Sequence, residues 1–182
     1  MYVPPLGLPT DEVCKELNQI RHPFRIAIIR AKNPFNIGAI IRVAHSFLVK
    51  EIVLIGDAPF YERAAMGMQK YENIVEIPSE EAFLTRAKEE NWKLISFEKD
   101  HAQAGLWDAE IPEDAVLVFG NENDGLSEAI VAQSETVVAI PMYGINHSYP
   151  ITAAASMAMA EWARRYYQGG RTILPKTSLK SA

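Results

Sequence analysis

Six short apolar runs, five of them leading into a polar loop and a stretch of helical pattern, constrain this chain more than any other feature. They are FRIAIIR from Phe24, EIVLIG from Glu51, NIVEIP from Asn73, WKLISF from Trp92, AVLVFG from Ala115 and TVVAIP from Thr136. The segments AIIR, IVLIG, VLVFG and VVAIP are almost continuously apolar. A strand with one wet face alternates, whereas a central parallel strand, covered on both faces, does not. Helical patterns fall between the runs. Asp11 to about Arg21 follows Thr10, a candidate cap. Asn36, a good N-cap residue, opens NIGAIIRVAHSFL. Pro59–Gln69, Glu80–Glu90 and Leu126–Gln133 are the next three. Pro150 to about Tyr167 is the last, stopped by Gly169-Gly170. Strand–helix alternation of this kind predicts an α/β fold, a mostly parallel sheet with helices on both faces. Residues 23–168 form its domain, 1–22 a helical extension, and 169–182 a basic tail.

The 182 residues can bury a single core without disulfides or a structural metal. Cys14 is the only cysteine, which excludes an internal disulfide and a cysteine-rich metal site. No apolar run reaches membrane-spanning length, and the first residues lack a signal-peptide pattern. A cytoplasmic protein without membrane or metal partners is expected. The net charge of -5 argues against nucleic acid, but its distribution argues for it. From Leu17 to Lys50 there is no acid, only Arg21, Arg25, Arg30, Lys32, Arg42 and Lys50. From Arg164 onward there is none either, with Arg164, Arg165, Arg171, Lys176 and Lys180. Two basic flanks around an acidic body form a positive face if they meet in space.

In parallel sheets ligands bind beyond the C-terminal ends of the strands. Three segments there are unusual. Asn33-Pro34-Phe35-Asn36-Ile37-Gly38-Ala39-Ile40-Ile41-Arg42 follows the first strand, and its Gly38 lets another backbone approach closely. Phe119-Gly120-Asn121-Glu122-Asn123-Asp124-Gly125-Leu126-Ser127 places two glycines around four polar residues, with Glu122 at the mouth of a site. Ile140-Pro141-Met142-Tyr143-Gly144-Ile145-Asn146-His147-Ser148-Tyr149-Pro150 leads into an alanine-rich helix that can pack closely on a neighbour.

Together and in this order, the segments resemble the SpoU/TrmH branch of the SPOUT methyltransferases. Asn36, Gly38 and Arg42 match its first motif. Phe119, Gly120, Glu122, Gly125, Leu126 and Ser127 match the second. Ile140, Pro141, Met142, Gly144 and Ser148 match most of the third. The resemblance implies a C-terminal trefoil knot, which no periodicity argument supplies. It also implies a homodimer and an S-adenosylmethionine site lined by Gly120, Asn121, Ile140, Met142, Ser148 and Tyr149, with Ser96 as a further candidate. The implied reaction is methylation of a ribose 2′-hydroxyl of RNA, tRNA before rRNA because the build is minimal. Arg42, Asn36, Glu122, Ser148 and His147 are the implied or candidate catalytic residues, with Arg42 reaching the partner's site.

A guanidinium stays protonated, so Arg42 is read as a phosphate clamp and a stabiliser of developing alkoxide charge rather than as a base. One departure stands out. Where relatives carry an asparagine after the motif serine, this chain has Pro150. His147, three residues earlier, is a candidate replacement, because a neutral imidazole can accept a proton and orient a hydroxyl. An alternative keeps the cofactor and the RNA but not the catalysis: a dimeric S-adenosylmethionine-binding regulatory module. A small-molecule or protein hydroxyl is a less favoured acceptor. No Gly-x-Gly-x-x-Gly follows an early strand, which argues against a dehydrogenase.

Overall fold

The computed structural model describes residues 7–30 and 33–166. Its seven strands form one sheet in the order β3-β2-β1-β6-β4-β7-β5, and every neighbouring pair is parallel. The strands are β1 Arg25–Ile29, β2 Glu51–Ile55, β3 Ile74–Ile77, β4 Leu94–Phe97, β5 Ala104–Gly105, β6 Val116–Phe119 and β7 Thr136–Ala139. Six come from the apolar runs. The seventh, β5, is a two-residue edge strand beside β7, too short to leave a pattern in the sequence.

Both faces are covered, as continuously apolar strands require. On one face, α2 (Pro34–Ser46) and α5 (Ile151–Tyr166) bury Ile37, Ile40, Ile41, Ala155, Met159 and Trp162 against Ile26, Ile28, Leu117 and Phe119. On the other, α3 (Glu80–Glu89) and α4 (Glu128–Gln133) bury Phe83, Leu84 and Ile130 against Ala27, Val53, Val116 and Val118. Alternate residues of one strand thus serve opposite layers. The remaining helix, α1 (Thr10–Ile20), buries Val13 and Leu17, and the Cys14 thiol donates to the Lys70 carbonyl.

Three local expectations fail for identifiable reasons. Thr10 is the first residue of α1 and makes no cap hydrogen bond; Pro9 precedes it. Asn36 is not the cap of α2, because Asn33 takes that place and accepts from the Phe35 amide. Pro59–Gln69 is not one helix. It forms short 3-10 turns at Glu62–Ala65 and Met68–Tyr71, separated by Met66 and Gly67 in left-handed conformation, which no helix propagates through.

The acid-free stretch from Leu17 is also not an open basic face, because acids from later in the chain neutralise it. Arg21 pairs with Glu72, whose side chain is fully buried, at 2.9 Å, Arg25 with Glu51 at 3.7 Å and Arg30 with Glu76 at 2.8 Å. Arg42 and Lys50 remain exposed. At the other end, Arg165 spends its guanidinium on Glu161 and on the carbonyls of Leu106 and Ala109. Gly169-Gly170, Arg171, Lys176 and Lys180 lie outside the described residues.

Candidate functional site

Sheet order places the site. Three successive strands run from β1 to one edge and the remaining four lie on its other side, so β1 and β6 flank the point where the winding reverses. Crevices form beyond the strand ends near such points. A cavity of 610 Å³ opens there, walled by the segments following β4, β6 and β7 and by the start of α5. That volume lies within the usual range for a ligand of cofactor size.

The wall after β6 is folded on itself. The Asn121 side-chain oxygen accepts from the amides of Asn123 (2.9 Å) and Asp124 (2.8 Å), and the Gly125 amide returns to the Asn121 carbonyl at 3.1 Å. Gly125 has φ +67, a conformation that favours glycine. A Cβ on Gly120 would lie 2.7 Å from the Leu126 amide nitrogen and closer still to the Gly125 carbonyl. Gly120 is therefore required for the loop to close, before any ligand is considered. Ser127 caps α4, accepting from Ile130, and its hydroxyl donates to Glu80.

The first motif meets this wall through one contact. The Asn36 side-chain amide donates to the Glu122 carboxylate. Gly38 serves a different contact: a Cβ there would come within 2.8 Å of the Ala64 Cβ and nearer to the Tyr61 carbonyl oxygen. The bare position lets the 59–65 segment lie directly on α2.

The wall after β7 is open by comparison. Residues 143–150 are all exposed, and the Tyr149 hydroxyl reaches back to the Pro141 carbonyl at 3.0 Å. Pro150 stands immediately before α5, where its carbonyl accepts the first helical amides, from Ala153 (2.9 Å) and Ala154 (3.0 Å). A proline has no amide hydrogen to lose at such a position.

The structure gathers most of the sequence-derived candidates. Gly120, Asn121, Glu122, Ile140, Met142, His147, Ser148 and Tyr149 all line the cavity, and Asn36 adjoins it through Glu122. Ser96 does not belong with them. It is fully buried on the face that packs α3 and α4, and its hydroxyl lies 2.6 Å from that of Ser134. Period-two alternation put it there: Phe97 faces the cavity, so its neighbour cannot. Arg42 is also outside its own chain's cavity. It is an exposed side chain two turns into α2, with no hydrogen bond or ion pair among the described residues.

The sequence reading missed Glu98, Lys99 and Asp100, which follow β4 and form the third wall. The signal was available, since a charged trio directly after an apolar strand occupies the same kind of position as the other two loops. With Glu122 and Asp124 they give the lining four carboxylates against one lysine, while Phe97, Phe119, Ile140 and Met142 supply apolar surface.

Comparison with known proteins agrees with this geometry. The SpoU rRNA Methylase family profile matches residues 23–160. A tRNA (guanosine(18)-2'-O)-methyltransferase of Mus musculus is 24% identical over 75% of this chain and 9% of its own length. A 23S rRNA (guanosine-2'-O-)-methyltransferase of Neisseria meningitidis is 23% identical over 85% of this chain and 63% of its own length. The SpoU methyltransferase AviRb of Streptomyces viridochromogenes, solved with AdoMet, superposes with a TM-score of 0.73 at 25% identity, covering 82% of this chain and 60% of that one. The chain thus spans less than two thirds of these relatives. With the family profile over most of its length, the relatives' sheet and the three loops in their expected places, this chain belongs to the SpoU rRNA Methylase family.

Proposed function

We propose that the chain transfers the methyl group of S-adenosylmethionine to a ribose 2′-hydroxyl of RNA, working as a homodimer. The observation that carries the reading is the cavity, where Gly120, Ile140, Met142, Ser148 and Tyr149 converge from two loops beyond the strand ends beside the Asn36–Glu122 contact. The lining suits the cofactor. Apolar side chains accommodate an adenine ring, and carboxylates favour a sulfonium cation over its neutral product. When bound, the cofactor supplies an already activated methyl group, so the protein's task is to align the acceptor oxygen and handle its proton.

His147 and Ser148 stand in the cavity wall, and His147 is the group proposed to accept the proton of the acceptor hydroxyl. Asn36 holds Glu122 in place from α2. Arg42 is exposed, unpaired and outside its own chain's cavity, which suits an arginine that completes the site of a second subunit and clamps the phosphate beside the target ribose. The knotted path of the C-terminal segment, which the family resemblance implies, belongs to the same proposal.

The second reading is a cofactor-binding module without turnover. Pro150, lining the cavity at the position where the motif that the chain resembles has an asparagine, is the observation in its favour. One experiment separates the two. Radiolabelled cofactor is incubated with the protein and with separate tRNA and rRNA pools from a source strain lacking this gene, followed by nucleoside analysis. The enzyme reading expects a labelled 2′-O-methyl nucleoside in one pool and at least about a tenfold slower rate for Arg42→Lys, roughly 1.4 kcal/mol in barrier. Binding of the cofactor by calorimetry with no label in either pool selects the module.

A further inference from the structure

We propose that Phe35 and Tyr61 form a stacking platform that holds an unpaired RNA base at the edge of the cavity. The inference rests on the RNA reading above and adds a positioning surface to it. Phe35 is 55% exposed and Tyr61 43% exposed, yet their rings lie nearly parallel, 23° apart with centroids at 6.1 Å. Single apolar side chains at a surface are ordinary, but two rings from separate segments brought side by side form a built surface.

Three contacts build it. The Asn33 cap holds the Phe35 amide at 3.1 Å, and the Tyr61 amide donates to the Pro34 carbonyl at 2.9 Å. The bare Gly38 lets the backbone around Tyr61 rest on α2. The platform is also tied to the site, because the residue after Phe35 is Asn36, which bonds Glu122 in the cavity wall.

Charge decides the occupant. Residues seven apart share a helix face, so Arg42 stands on the Phe35 side of α2, about 10 Å further along the axis. Arg63 is exposed two residues beyond Tyr61. Neither guanidinium has a hydrogen bond or ion pair among the described residues, whereas Arg21, Arg25 and Arg30 are all paired. With Glu62 as the intervening acid, the strip keeps a positive balance. A folded protein surface over the rings would have to desolvate Arg63 or bring an acid to meet it, and Arg42 is the arginine proposed above to clamp an RNA phosphate at the second subunit's site. Single-stranded RNA brings phosphates for the cations and π-faces for the rings.

The test compares the parent with Phe35→Ala/Tyr61→Ala, Phe35→Leu and Phe35→Trp. Phe35→Leu keeps the apolar bulk and loses the π-face. Total small RNA of the source organism serves as methyl acceptor, and a single-stranded RNA oligonucleotide carrying 2-aminopurine reports stacking by fluorescence quenching. The double variant is expected to need about tenfold more RNA for half-maximal transfer, within the range for losing one stacked base. Its rate at saturating RNA should stay within about threefold of the parent's, because stacking positions the substrate and takes no part in the chemistry. Cofactor affinity by calorimetry and sedimentation mass should not move. Phe35→Leu should weaken RNA use, Phe35→Trp should retain it, and quenching should vanish only where the π-faces are gone.

Unchanged RNA use and quenching in the double variant overturn the proposal. A fall in sedimentation mass accompanying the loss also overturns it, because the rings would then be a contact between copies of the chain. If the parent itself transfers no label, the functional reading fails first. If the parent is active and every variant matches it, only the platform fails.

Discussion

Two walls of one cavity are built in opposite ways. The loop after β6 satisfies itself: Asn121 accepts two amides, Gly125 folds back on it, Ser127 caps α4, and Asn36 holds Glu122 from outside. The loop after β7 leaves residues 143–150 exposed, with Tyr143 at 94% and Ile145 at 97%, and the Tyr149–Pro141 bond as its brace. The first wall is formed before any ligand arrives. The second has few internal bonds to hold one shape, so its order must come largely from what it touches, a ligand or another surface. A site of this kind combines preorganised recognition on one side with an adaptable side for a large substrate.

The largest effect that breaks this contrast should come from Gly120→Ala. The added Cβ collides with the Gly125–Leu126 backbone, which has no flexible end to yield. Loss of cofactor binding by more than about a hundredfold is expected, together with roughly 2 kcal/mol or more of stability by denaturant unfolding. The stability loss is the informative part, because a glycine that merely made room for the ligand would give weak binding at full stability. Parent-like unfolding of Gly120→Ala would show that the β6 wall is as pliable as the other.

An intermediate effect concerns the anchor downstream of the open wall. Buried Glu161 binds Arg164 and Arg165, and Arg165 also reaches the carbonyls of Leu106 and Ala109, fixing α5 near β5. The hydrogen bond from Arg164 is the chief reason its carboxyl is held below the usual range, with Arg165 adding to it and burial opposing. A carboxyl depressed in the folded state stabilises at pH above its unfolded value, and that stability is lost as pH falls through the lowered one. Glu161→Gln should therefore cost about 1.5–3 kcal/mol at pH 7, with the gap to the parent shrinking as the pH falls below about 4. Urea unfolding of both proteins at pH 7 and pH 3 checks it; a constant gap would show that charge is not what α5 depends on.

Most of this architecture was legible in the sequence, because it rests on local patterns. Six strands announced themselves as apolar runs, and two glycines around a polar quartet marked the rigid wall. What escaped depends on partners distant in the chain. The acid-free stretch from Leu17 reads as basic until Glu51, Glu72 and Glu76 fold onto it. Ser96 ends the apolar part of a strand, and only its register shows that it faces Ser134 instead of the cavity. Asn36 has the chemistry of a cap, yet its partner is 86 residues away. Glu98 to Asp100 went unremarked because no motif named them, although their place after β4 follows the same rule as the loops that were noticed.

The smallest effect probes the open wall alone. Tyr149→Phe removes the bond to the Pro141 carbonyl and nothing else, since the ring remains. An exposed hydrogen bond is worth about 0.5–1.5 kcal/mol net, and here both groups can turn to water. Global stability should change by less than about 0.5 kcal/mol. The loss should instead appear in binding: an unbraced loop populates its competent shape less often, and apparent affinity falls in proportion. About a threefold weaker cofactor affinity is expected. If the β7 wall is ordered by its ligand, limited proteolysis near Tyr143 should be faster in the variant without cofactor, and the difference should close at saturation. Equal cleavage of parent and variant without cofactor, at equal affinity, would mean that the loop holds its shape without the brace, and the contrast between the two walls would then rest on exposure alone.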